Sequence, residues 1–258
     1  MDTANKSYKR KIERETEWYK PKPQEGRGPL HKVLHHPLIY SPERISFNYI
    51  FPKEQMASLI RRNYEWKTDM ALVAPCGKGD DFTYLDDIFA CILGVDVSLE
   101  ALSSCPKQMP TTAGDILNLP FPNGIFDIVV CSLFFHHYHK FGFLKFLEEF
   151  RRVLKPGGVI VILEPSFWYP LNIITRPIKL LGNPFDEVLD EGPFRPSLMV
   201  QSLNEAGFIN NEMQTATFSH PAIYIPLARV INRISDTFLR LWPFKIFGWL
   251  IIYTGQRS

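Results

Sequence analysis

The sequence predicts a doubly wound, mostly parallel α/β sheet, and three observations predict it. Short apolar runs at 70–74, 90–95, 126–131 and 157–163 alternate with helical periodicity at 80–88, 98–105 and 141–154. The first run feeds a glycine-bearing turn, Ala-Leu-Val-Ala-Pro-Cys-Gly-Lys-Gly at 71–79, which opens onto Asp80. The second ends near an acid, Asp96. Strand, helix, strand in repetition marks a doubly wound sheet, whose ligands bind beyond the carboxyl ends of the strands.

Taken in order, the chain opens with Lys6, Lys9, Arg10, Lys11, Arg14, Lys20 and Lys22 interleaved with Glu13, Glu15 and Glu17. Mixed charge with few apolar residues does not offset ordering entropy, so 1–28 is read as a flexible, solvated tail. Residues 29–64 follow as a segment packing on the core. There Pro-Leu-Ile-Tyr-Ser-Pro-Glu-Arg at 37–44 precedes an apolar-periodic helix near Pro52 to Arg61. Closure over a pocket and simple packing both remain open for it; the first reading predicts that losing 1–28 is harmless and losing 1–50 abolishes activity.

The main domain is 65–258. Its strands are short, partly β-branched and bounded by Gly, Asp or Pro, as buried parallel strands are. Phe143, Leu144, Leu147, Phe150 and Leu154 give the helix at 141–154 one apolar face. After Glu164 the pattern changes: Pro196 to Ala206 reads as a helix ended by Gly207 and Phe208, and 209–218 with 247–254 as two further strands. Apolar-rich insertions at 167–193 and 220–246 interrupt this part. Pro, Arg, Lys and Asn break both too often for either to span a bilayer. Two readings stand, extra helices packed on the domain or a greasy cap over the substrate end.

Composition narrows the function classes. With 258 residues and 45% hydrophobic content, the chain builds one sizeable core. A net charge of +2 is too small to argue for a nucleic-acid partner. Cys76, Cys91, Cys105 and Cys131 show no Cys-x-x-Cys pair, so neither a metal site nor a disulfide framework is indicated. The charged, polar start is unlike a signal peptide, and a cytoplasmic protein is expected.

The glycine turn sorts among nucleotide sites. Phe82 stands three positions after Gly79 where a dinucleotide fingerprint needs glycine, and no Gly-Lys-Ser/Thr follows to make a phosphate loop. A two-glycine turn with an acid at the next strand end suits a cofactor with a ribose but no phosphate.

Four stretches extend the match: Leu-Val-Ala-Pro-Cys-Gly-Lys-Gly at 72–79, Leu-Gly-Val-Asp-Val-Ser at 93–98, Gly-Asp-Ile-Leu-Asn-Leu-Pro-Phe at 114–121 and Phe-Asp-Ile-Val-Val-Cys-Ser at 126–132. A fifth, Arg-Arg-Val-Leu-Lys-Pro-Gly-Gly-Val-Ile-Val-Ile-Leu-Glu-Pro, occupies 151–165. In this order they resemble the class I S-adenosylmethionine-dependent methyltransferases, in particular the small-molecule branch with the ubiquinone-type methylases. The resemblance implies a seven-stranded Rossmann-like methyltransferase sheet, closed by an antiparallel pair, with S-adenosyl-L-methionine as cofactor. It implies that Ala74, Pro75, Cys76, Gly77 and Gly79 form the turn on the methionine part and ribose, and that Asp96 accepts from the ribose hydroxyls. Val97 would lie along the adenine, and Gly114, Asp115 and the Ile116 backbone would meet its amino edge. Cys131, Ser132 and Leu133 would line the reactive end.

Two positions depart from that pattern. Val73 replaces the usual acid and Pro75 a glycine, so Asp80 or Asp81 is the candidate substitute for the missing carboxylate. For chemistry, His136 and His137 are the candidate bases, needed only if the acceptor must lose a proton, with packing as their other reading. His139 is expected to face solvent, and Glu164, Tyr169, Tyr40, Arg44 and Tyr49 are lesser candidates for acceptor contacts. The expected activity is methyl transfer to a small-molecule or lipid-linked acceptor. The alternative is a cofactor-binding but inactive protein that partners another; a protein or RNA acceptor is a further rival. Val230, Ile231, Ile234, Phe238, Leu241 and Trp242, edged by Arg229, Arg233 and Arg240, suggest peripheral contact with a membrane.

Overall fold

The structure is a computed structural model that describes residues 8, 11–13, 41–63, 70–172, 191–235 and 244–258. The strands are β1 (Met70–Val73), β2 (Cys91–Asp96), β3 (Thr111–Ala113), β4 (Phe126–Ser132), β5 (Leu154–Pro165), β6 (Phe208–Thr217) and β7 (Leu250–Arg257). They form one sheet in the order β3-β2-β1-β4-β5-β7-β6. The first five pair in parallel, and β7 runs antiparallel to β5 and to β6. This is the expected doubly wound sheet closed by an antiparallel pair, and each run read as a strand is one.

The central strands are apolar on both faces because both are covered. Leu72, Val129, Ile160 and Ile162 turn to one layer, whereas Ala71, Val73, Ile128, Val130 and Val161 turn to the other. The first layer is covered by α5 (Leu144–Val153) and α6 (Pro196–Glu205), through Phe146, Leu147, Phe150, Met199 and Leu203. Leu144, read as part of that apolar face, is exposed, and Phe146 takes the inward place.

The second layer is covered by α1 (Pro42–Asn63), which buries Met56, Leu59 and Ile60. This helix starts about ten residues earlier than its periodicity suggested. Ser41 Oγ accepts the Arg44 N–H at 3.2 Å and Pro42 sits in the first turn, a start that competes well with one at Pro52. Pro52 is tolerated inside, although it lacks the N–H that the Asn48 carbonyl would receive.

Four residues of the stretch read as a solvated tail lie on the domain instead. Tyr8 and Lys11–Glu13 are helical, and Lys11 is buried with its Nζ 2.6 Å from Glu191 Oε1. A specific carboxylate partner offsets the cost of burying this ammonium. Of the insertions, the described parts include α7 (Ile225–Ser235), tied to the sheet by Thr217 Oγ1 and Asn232 Oδ1 at 2.9 Å. Tyr40, Phe238, Arg240, Leu241, Trp242 and 173–190 lie outside the described residues.

Candidate functional site

The strand order reverses between β1 and β4, and a cleft of about 270 Å³ opens at their carboxyl ends. This is where the chain ends of β1 and β4 diverge and leave room between them. The turn after β1 is shaped by backbone bonds: Cys76 N–H donates to Val95 O at 2.8 Å and Gly79 N–H to Cys76 O at 2.8 Å. Gly77 and Gly79 both take positive φ, +51° and +80°. A Cβ on Gly79 would lie 2.7 Å from Pro106 Cδ, so both conformation and space require glycine there.

Asp96, the last residue of β2, holds the turn as well as lining the cleft. Its Oδ2 accepts the Gly77 N–H at 2.8 Å and its Oδ1 the Ser98 N–H at 2.9 Å. Ser98 in turn caps the helical turn α3 (Leu99–Ser103), accepting from Ala101 N–H. Both bonds tie the carboxylate to the two backbone segments that border the cleft.

Asp115 lies beyond β3. Its Oδ1 accepts the Leu117 N–H at 2.9 Å and the Tyr8 hydroxyl at 2.6 Å. Burial, then this bond to a carboxylate, pushes the Tyr8 phenol up, so it stays a neutral donor. Tyr8 also packs against Tyr138 and Phe146 at 5.8 and 6.0 Å. Burial likewise pushes the Cys76 thiol up, which makes it an inert wall residue.

At the end of β4 the backbone turns sharply through Leu133, whose φ is +56°. The turn leads to α4 (Phe135–Tyr138), whose start is held by Glu164 from β5. Glu164 is fully buried; Oε1 accepts the N–H groups of Phe134 and Phe135 at 2.5 and 2.6 Å, and Oε2 that of His136 at 3.2 Å. His136 Nδ1 stands 2.8 Å from the same Oε2. His137 Nδ1 is 2.9 Å from Glu191 Oε1, and the two imidazoles stack with centroids 4.0 Å apart. The carboxylate on His136 Nδ1 keeps the proton there and leaves Nε2 as the acceptor nitrogen of that ring.

Of the residues singled out in the sequence, the cleft wall brings together Pro75, Cys76, Gly77, Asp80, Asp81, Asp96, Val97, Asp115, Ile116, Ser132, Leu133 and His137. Ala74, Gly79, Gly114 and Cys131 shape the wall from behind, and His136 is turned toward Glu164. Glu164 is therefore a buried anchor of α4 and not an acceptor contact. Tyr169 donates its hydroxyl to Phe218 O, Tyr49 packs on Trp249 at 5.2 Å, and Arg44 lies over the Tyr224 ring at 5.5 Å, so these three act in packing. His139 places Nδ1 3.1 Å from His136 O. Sequence reasoning missed Tyr8, Ile12, Lys53, Phe134 and Tyr138 in the wall. Only the apolar periodicity around Lys53 gave any signal for them.

Comparison with known proteins finds similarity over the segment that builds the cleft. Residues 72–162 match the model of the methyltransferase domain. That stretch of the chain is similar to a methyltransferase domain. An uncharacterized methyltransferase of Synechocystis is 34% identical over 134 residues, which are 46% of this chain and 63% of that protein. This chain thus spans under two thirds of that relative's length. The demethylmenaquinone methyltransferase of Geobacillus kaustophilus is 26% identical over 228 residues, 72% of this chain and 94% of that one. A solved S-adenosylmethionine-dependent methyltransferase of Thermotoga maritima superposes with a TM-score of 0.60 at 16% identity, over 84% of this chain and 94% of the other. That likeness concerns the fold, and it is the methyltransferase fold described above.

Proposed function

We propose that this chain uses S-adenosyl-L-methionine to methylate a small-molecule or lipid-linked acceptor. The observation that carries the reading is the cleft itself, where a Cβ-free turn and two carboxylates, Asp96 and Asp115, face one space between apolar walls. The residues fit such a nucleoside. Asp96 accepts from vicinal hydroxyls, Asp115 from an exocyclic amine, and Val97 and Ile116 present apolar surface to a planar base. Gly77 lets the main chain approach closely, and Tyr8 closes the Asp115 side. Bound cofactor supplies an electrophilic methyl group on a sulfonium.

The chain's own contribution is to position an acceptor behind that methyl and to exclude water, which is the larger part of the rate gain in such transfers. Where the acceptor has a proton to lose, His137 in the cleft wall takes it, with the Glu191 carboxylate nearby to stabilise the imidazolium; His136 stacks behind, held by Glu164. The similarity to a protein named for demethylmenaquinone supports an apolar acceptor.

Peripheral contact with an anionic lipid surface belongs to the same reading. Tyr224, Leu227, Val230 and Ile234 are exposed along successive turns of α7 and its start, with Arg229 and Arg233 on the flank. An apolar stripe with a cationic edge is what an interfacial helix presents to such a surface. No described helix is long and apolar enough to cross a membrane.

Calorimetric titration with S-adenosylhomocysteine tests the reading. Micromolar binding that weakens at least about tenfold in Asp96→Ala is the expected result, given two charge-assisted bonds of roughly 1.5 to 3 kcal/mol each. An unchanged dissociation constant overturns the ribose assignment. Labelled methyl recovered from organic-extractable lysate material supports the acceptor class, and label confined to macromolecules contradicts it.

A further inference from the structure

The cleft contains a charged pair to which the proposed nucleoside contacts assign no role. Lys53, on α1, is 8% exposed, and its Nζ lies 3.0 Å from Oδ1 of Asp81, which immediately precedes α2 (Phe82–Leu85) and is 5% exposed. Both line the same cleft as Asp96 and Asp115. They stand on the opposite wall from Tyr8 and Ile116: α1 packs on the sheet layer of Met56 and Cys76, whereas Tyr8 and Ile116 pack on the layer of Phe134 and Tyr138. A nucleoside held between Asp96 and Asp115 leaves Lys53 and Asp81 in the same cleft for whatever group it carries beyond the ribose.

The pair is also incompletely satisfied. Asp81 Oδ1 is shielded from solvent and has the ammonium as charge partner, yet among the described residues it receives no well-aligned hydrogen bond. An ammonium has three donors, and among the described residues the contacts of Lys53 are Asp81 and the face of Tyr84, 5.9 Å away. Burying two charges with unused hydrogen-bonding capacity is costly unless a ligand completes the arrangement. The complement of one buried cation beside one buried anion is a zwitterion.

We propose that Lys53 and Asp81 recognise the α-amino-acid end of the cofactor, Lys53 holding its carboxylate and Asp81 its ammonium. The pair thereby takes over the role open at Val73, where this chain has no acid. This rests on the reading of the cleft as the cofactor site, and the test separates the two. S-adenosylhomocysteine carries the amino-acid end; 5′-methylthioadenosine has the same nucleoside and thioether without it. Both are titrated calorimetrically into the wild-type protein, Lys53→Met and the double variant Lys53→Met/Asp81→Asn, which leaves no lone buried charge, with thermal melts to show that each is folded. The expected result is a loss of tenfold or more for S-adenosylhomocysteine in both variants and less than twofold for methylthioadenosine. An equal loss for both ligands, or no loss for S-adenosylhomocysteine, overturns the assignment. Wild-type protein that binds neither ligand overturns the cofactor reading itself, and this inference with it.

Discussion

Glu164 shows how much one residue organises here. Four donors converge on its two oxygens, three of them the backbone N–H groups that start α4. Glutamine offers one acceptor oxygen and a donor amide, so Glu164→Gln leaves N–H groups buried and facing a donor. A loss of about 2 to 4 kcal/mol in urea unfolding is expected. Gly79→Ala forces a left-handed conformation on alanine and a Cβ against Pro106, at about 2 kcal/mol, visible as a melting temperature lower by roughly 5 °C. Asp96 was legible in sequence because it ends an apolar run at a fixed distance after the glycines. Glu164 was misread because a carboxylate before proline looks the same in sequence whether it faces a ligand or the start of a buried helix.

Among the elements, the amino-terminal helical turn departs most from expectation. Tyr8 and Asp115 are 107 residues apart in the chain, so no local pattern announces their bond. Removing residues 1–13 takes away that hydroxyl and the Lys11 partner of Glu191. Affinity for S-adenosylhomocysteine is expected to fall severalfold on calorimetric titration, against the sequence-based expectation that losing 1–28 is harmless. For α7, replacing Leu227 and Val230 by Ser is expected to reduce flotation with phosphatidylserine vesicles while leaving the melting temperature within 1 to 2 °C, since both side chains are exposed. The sequence marked Val230 and Ile234 as an outward stripe, and both are exposed, whereas it gave no sign that Leu227 and Tyr224 extend that stripe.

At the scale of the whole molecule, His220 links the β6–β7 connection to the core. It stacks on Tyr169 and meets Trp249 edge-on at 5.0 Å, with Nδ1 accepting the Ala222 N–H. Burial pushes its pKa down from 6.5 to about 4. Between those values the unfolded chain binds more protons than the folded one, so stability falls as pH drops from 6.5 toward 4, by as much as roughly 3 kcal/mol. Urea midpoints measured across that window are expected to decline in the wild type and to flatten in His220→Gln. A flat wild-type profile would contradict the burial of a neutral imidazole.

The sequence by itself determined the sheet, its polarity and the glycine turn with Asp96. These depend on short-range patterns: apolar runs of strand length, a conformation only glycine adopts freely, and an acid where a strand ends. The tertiary structure alone decided that Tyr8 reaches Asp115, that Lys53 faces Asp81, and that Glu164 anchors a helix. Each joins segments distant along the chain, and their meeting follows from how helices pack over the two faces of the sheet, which no local periodicity encodes.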